Sequence, residues 1–229
     1  MKVYYDKSRT RPEPRLHPYR ASGPGQSGFV DFTKRPELIE TALEDFRPFA
    51  PTAAVKAFYD FLRWINGPAS QLATCDCVLR APTPNHDTNS KRGLCVHGRV
   101  FLLYRELRFN ASIERSDWLC GKMMTELGAI DAGLAANEAV VGFTKNPTLQ
   151  VAISKGVPDG AGGFEVGAND PGFGHHLTLT FWAYGDTEAE SFEKLERVFR
   201  NIRSAAERVS ESIRQAQAEA STSQAEGPA

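Results

Sequence analysis

No apolar run in this 229-residue chain approaches the ~20 residues that span a bilayer, and the first residues lack the apolar core of a secretory leader. A cytoplasmic protein with no membrane partner is the expectation. An excess of either charge is missing too, since 27 Lys and Arg face 28 Asp and Glu. That balance argues against bulk binding to nucleic acid or an anionic membrane, which needs a large positive surface. Cysteine is scarce, with 4 in the chain, too few for a disulfide framework and consistent with a reducing compartment. Catalytic signatures are wanting. There is no Gly-x-Ser-x-Gly elbow. Gly160-Ala161-Gly162-Gly163 leads into a strand pattern instead of a helix start, and no Lys-Ser or Lys-Thr pair follows it, so it does not match a phosphate loop.

What is present is a set of strong periodic patterns, enough for one domain with a core that needs no covalent staples. The clearest runs from His175 to Ala216. His175 to Tyr184 alternates strictly, placing Leu177, Leu179, Phe181 and Ala183 on one face of a strand and Thr178, Thr180, Trp182 and Tyr184 on the other. Thr187-Glu188-Ala189-Glu190 then matches a capping box and predicts a helix start. Phe192, Leu195, Phe199, Ile202, Ala206, Val209, Ile213 and Ala216 follow in a three-four alternation, a coiled-coil-like seam along one side. Its first half is expected to pack on the sheet and its second half to project.

Residues 1–31 read as an extended arm rich in proline and arginine, with a short strand at its start. Over residues 1–30, Lys2, Lys7, Arg9, Arg11, Arg15 and Arg20 face only Asp6 and Glu13. The arm either lies over its own domain, the favoured reading, or over residues 1–25 grips a nucleic-acid backbone. A helix is expected after Pro36, with Ile39, Ala42, Leu43 and Phe46 on one face. A second carries Val55, Phe58, Tyr59, Leu62 and Ile65, widened by Phe61 and Trp64 and stopped by Asn66-Gly67-Pro68. Strands are expected over residues 72–80 and 94–107, the latter apolar on both faces in its middle and so interior to the sheet. Ser112 or Ser116 caps a helix through Leu119, Cys120, Met123, Met124 and Leu127. Two further strands flank an Asn146-Pro147 turn. A glycine-rich loop fills residues 156–174, and a tail over residues 217–229 is expected to lack structure. Five or so strands joined by hairpin-length connections, with helices gathered around them, define an α+β fold: a two-layer sandwich with a mostly antiparallel sheet, over residues 32–216.

Two constellations have the residue types of a reactive site. Cys75 and Cys77 share one strand face, as do Cys95 and His97. A symmetric hairpin centred near His86 would set Cys77 opposite Cys95 and Cys75 opposite His97, and three thiolates with an imidazole could hold a structural zinc. The plainer expectation is a row of core cysteines with no cofactor. His175 and His176, next to the glycine loop with Asp159, Glu165, Asn169 and Asp170, could supply acid-base or metal chemistry, catalysis by His175, His176 and Asp170 being one version. As neighbours in a strand they point to opposite faces, so only one would line a pocket. Cys120 reads as core. Together these features favour a non-catalytic protein-interaction module of the adaptor, antitoxin or immunity kind. It would bind another protein, or itself as a homo-oligomer or dimer, through Phe199, Ile202, Val209 and Ile213 of the last helix and Trp64. The runner-up is a metal-dependent hydrolase or small-ligand enzyme at His175 and His176.

Overall fold

The structure, a computed structural model, describes residues 1–6, 15–17, 32–43, 49, 52–88, 90–130, 133–150 and 173–225. Its strands in chain order are β1 (Lys2–Tyr5), β2 (Arg15–His17), β3 (Leu72–Leu79), β4 (Thr83–Pro84), β5 (Leu94–Tyr104), β6 (Ala139–Gln150) and β7 (Phe173–Gly185). The helices are α1 (Ile39–Ala42), α2 (Ala53–Asn66), α3 (Ile113–Ala129) and α4 (Glu188–Ala225). The strands form one sheet in the order β1-β6-β7-β5-β3, with β2 beside β6 and β4 beside β5. The fold is an α+β two-layer sandwich whose sheet is mixed. β3, β5, β7 and β6 pair antiparallel, while β1 and β2 both lie parallel to β6. Two segments of the expected arm are therefore strands of the sheet, and residues 7–14 and 18–31 lie outside the described residues.

The three long helices, α2, α3 and α4, start where the sequence supplies an acceptor for their orphan amides, whereas α1 has no side-chain cap. The Thr52 hydroxyl accepts from the Val55 amide at 3.3 Å, Ser112 from Arg115 at 3.2 Å, and Thr187 from Glu190 at 3.2 Å. The Glu190 carboxylate closes its half of the last cap on the Asp186 amide at 2.9 Å, one residue before the threonine. α4 runs to Ala225, beyond the expected end at Ala216. Its last turns are rich in Ala and Gln, strong helix formers that favour continuing the helix.

All of α4's seam from Phe192 to Ile213 is buried against the same chain, and only Ala216 is exposed. Phe199 lies at the centre, stacked on Phe58 of α2 at 4.8 Å and edge-on to Phe181 of β7 at 4.9 Å. The face of α2 that meets it, with Val55, Phe58, Leu62 and Ile65, is wholly buried. At about 1.5–3 kcal/mol per buried side chain, this seam is a principal source of stability. The projecting second half expected from the sequence is thus corrected, because Ala206, Val209 and Ile213 also join the core. Gly98 allows the close fit on the sheet side: a Cβ there would meet the Val78 carbonyl oxygen at 2.1 Å and the Phe181 ring at 2.7 Å.

Two further expectations are corrected by the backbone. Asn146-Pro147 makes no turn, since β6 continues through it and pairs with β7 from Ala139 to Leu149. Pro147 falls between the stretches of β6 that pair with β1 and β2, an interval where a residue without an N–H is tolerated. The hairpin of β3 and β5 is not centred near His86 either. Leu72 to Thr74 pair with Tyr104 to Leu102, then a bulge at Cys75 shifts the register so that Asp76 meets Phe101 and Cys77 meets Val100. Buried Asn66 holds this bulge. Its amide donates to the Thr74 hydroxyl at 2.8 Å and accepts from the Thr74 backbone at 2.9 Å. One extra residue turns every later side chain of β3 to the opposite face.

Candidate functional site

The bulge separates the residues of the suggested zinc set. Cys77, opposite Val100, faces the helices. Cys95 and His97 face the other way, and Cys75 lies in the bulge with its thiol directed at the Phe101 carbonyl oxygen, 3.9 Å away. Cys75, Cys77, Cys95 and His97 therefore do not form one patch. Burial raises the thiols of Cys77 and Cys95, the second to about 12, with Asp76 and Asp87 adding to the respective effects. Among the described residues no group of three or more His, Cys, Asp and Glu is placed to hold a metal ion.

His175 and His176 point to opposite faces of β7. His175 lies on the helix side, where α3 crosses β1, β6 and β7 and brings Asp117 and Cys120 over Tyr5 and Lys145. Lys145 Nζ donates to Asp117 Oδ1, and Nδ1 of His175 is buried without a hydrogen-bond partner. Burial lowers the His175 pKa below its ordinary value, helped by Lys145 and opposed by Asp117, so the ring is neutral near pH 7. Burial also pushes the Cys120 thiol up to about 11, with Asp117 adding and Lys145 opposing. A thiol raised by burial is not an activated nucleophile. Asp170 and the other acids of the glycine loop lie outside the described residues.

His176 belongs to the opposite face, on which no described α-helix packs. It is buried and stacks on Phe101 with ring centres 4.6 Å apart, and the Arg99 guanidinium lies 5.0 Å over the same phenyl ring. Arg99 reaches Asp76 at 3.4 Å. Nearby, Asn146 donates to the Thr178 hydroxyl at 2.7 Å and the Thr180 hydroxyl to the Gly142 carbonyl at 3.2 Å. Further along, Tyr184 donates to Asp87 at 2.6 Å above a small cluster with Cys95 and Val140.

The residues expected to form an interface are placed differently. Phe199, Ile202, Val209 and Ile213 are inside the chain's own core, so they are not available to a partner. Trp64 is half-buried against that core, with the Arg203 guanidinium 5.9 Å over its ring. Large hydrophobic side chains are exposed at two described positions, Ile113 (47%) and Trp118 (42%), both on α3. Glu114, Trp118, Gly121, Thr125 and Ala129 fall on one line of that helix by their spacing, and all are exposed. A Cβ added at Gly121 or Gly128 would meet nothing within 4 Å. The spacing of Trp118 from Leu119, Cys120 and Met123 carried this signal, because it sets the tryptophan off the buried stripe. No protein-family model, curated protein or solved structure matches the chain. Among the described residues no helix is long and apolar enough to cross a membrane.

Proposed function

We propose that this chain is a non-catalytic protein-interaction module, of the adaptor, antitoxin or immunity kind, and that it pairs through the outer face of α3 with a second copy of itself. The observation that carries this reading is the exposure of Trp118 at the centre of a helix face otherwise made of small and polar residues. A glycine inside a helix costs about 1 kcal/mol relative to alanine, and nothing among the described residues needs the space at Gly121. Tryptophan is a knob and the Gly121 surface a hollow, so two α3 helices crossing antiparallel could each supply what the other lacks. The antiparallel arrangement also opposes their dipoles favourably. Sedimentation equilibrium tests it. The parent chain should associate, whereas Trp118→Ala and Gly121→Leu should each sediment as monomers with an unchanged fold. A parent chain that is monomeric at every concentration, or variants that associate like the parent, would refute it.

The second reading, a metal-dependent hydrolase or small-ligand enzyme at His175 and His176, draws its one support from the unpartnered Nδ1 of His175. It requires stoichiometric zinc or another metal in the purified protein, measured by elemental analysis, and loss of that metal in a His175→Ala, His176→Ala double variant.

A further inference from the structure

The sheet face opposite the helices holds a feature that pairing through α3 does not use. Arg99 rises from β5 between Val78 of β3 and Thr180 of β7. Its Nε is buried and has no hydrogen-bond partner. Among the described residues the one carboxylate that reaches it, Asp76, stands 3.4 Å from Nη2, long against the ~2.8 Å of a strong charge-assisted bond. Phe101 supports the guanidinium from below and is itself fixed by the stack with His176. The Thr180 hydroxyl has given its proton to the Gly142 carbonyl and can only accept. A rigidly supported guanidinium thus carries an unsatisfied N–H on its Nε edge, and leaving a buried donor unmade is costly. The Nε and Nη groups of arginine form a planar fork that matches two oxygens of one carboxylate or phosphate. The Arg99 side chain is 32% exposed although its Nε is not, so a small anion can reach the Nη groups from solvent and meets Nε only where Asp76 gives way.

We infer that this face binds an oxyanion-bearing ligand, a carboxylate or phosphoryl group taken bidentately by Arg99, with Asp76 as the internal competitor that occupies the guanidinium in the ligand's absence. The inference is independent of the α3 interface, which lies on the helix layer. The test is a two-dimensional amide NMR titration of the full chain with inorganic phosphate, acetate and, at matched ionic strength, sodium chloride. Saturable shifts are expected at Val78, Thr180 and the Trp182 indole with at least one of the two anions. Saturation by phosphate alone assigns a phosphoryl group, and saturation by acetate assigns a carboxylate. Arg99→Lys keeps the charge and removes the fork, and should weaken binding by about tenfold or more, as should Arg99→Gln. Asp76→Asn removes the competitor and should tighten binding. Shifts that grow linearly and match the chloride control, that persist in Arg99→Gln, or that are weakened by Asp76→Asn in a spectrum otherwise unchanged would overturn the assignment.

Discussion

Two helices of this molecule carry apolar residues to opposite ends. The seam of α4 turns inward and is buried from Phe192 to Ile213, whereas α3 buries Leu119, Cys120, Met123 and Leu127 and still holds Trp118 out at 42% exposure. The longer and more regular pattern belongs to the helix with no apolar face left over. A periodic stripe reports that a helix has an apolar side, and the residue that breaks the stripe reports whether a second side exists.

The largest expected effect falls on the inward seam. Phe199→Ala removes the ring that contacts both Phe58 and Phe181 and should destabilise the chain by about 3–5 kcal/mol, lowering Tm by roughly 10 °C in calorimetry. A loss below 1 kcal/mol would mean that α4 is not seated as described. On the outer face of α3, Gly121→Ala should raise monomer stability in urea unfolding by about 1 kcal/mol while weakening self-association, a divergence that a purely internal role cannot produce. Trp118→Ala should leave stability within about 0.5 kcal/mol of the parent and act on association alone. The inner side of α3 should announce itself through pH. Burial, the largest cause, lowers the native pKa of His175, and the same cause lowers that of His97. A histidine held neutral in the folded state stabilises fully above its unfolded pKa of about 6.5, and that contribution is lost as pH falls toward the lowered native value. Urea midpoints should therefore hold above pH 7 and decline below about 6.5, with a shallower decline in His175→Gln.

The layers of this fold were legible because their signals are local. Alternation at Leu177, Leu179, Phe181 and Ala183 marked the buried face of β7, and Ser112 and Thr187 marked the starts of α3 and α4. Positions that depend on a single extra residue were not legible. The bulge at Cys75 is fixed by Asn66, a side chain from another element, and without it the parity of β3 cannot be read. The same limit hid the grouping of Tyr5, Asp117, Cys120, Lys145 and His175, whose members come from β1, α3, β6 and β7. Alternation did separate His175 from His176, since opposite faces follow from adjacency alone. Arg99 stood in plain view within an apolar strand, and a lone charge there was the available signal.

The pairing of β1 and β2 with β6 has a consequence for how the molecule is made. Lys2 finds its neighbour at Val140, roughly 140 residues along the chain, and does so in the parallel sense that no tight turn can template. Closing such a distance is a slow search compared with zipping the β5–β7 and β6–β7 ladders. During refolding, the open flank of β6 should remain the last unprotected edge in hydrogen exchange, and the stage at which stray chains could add themselves to the sheet.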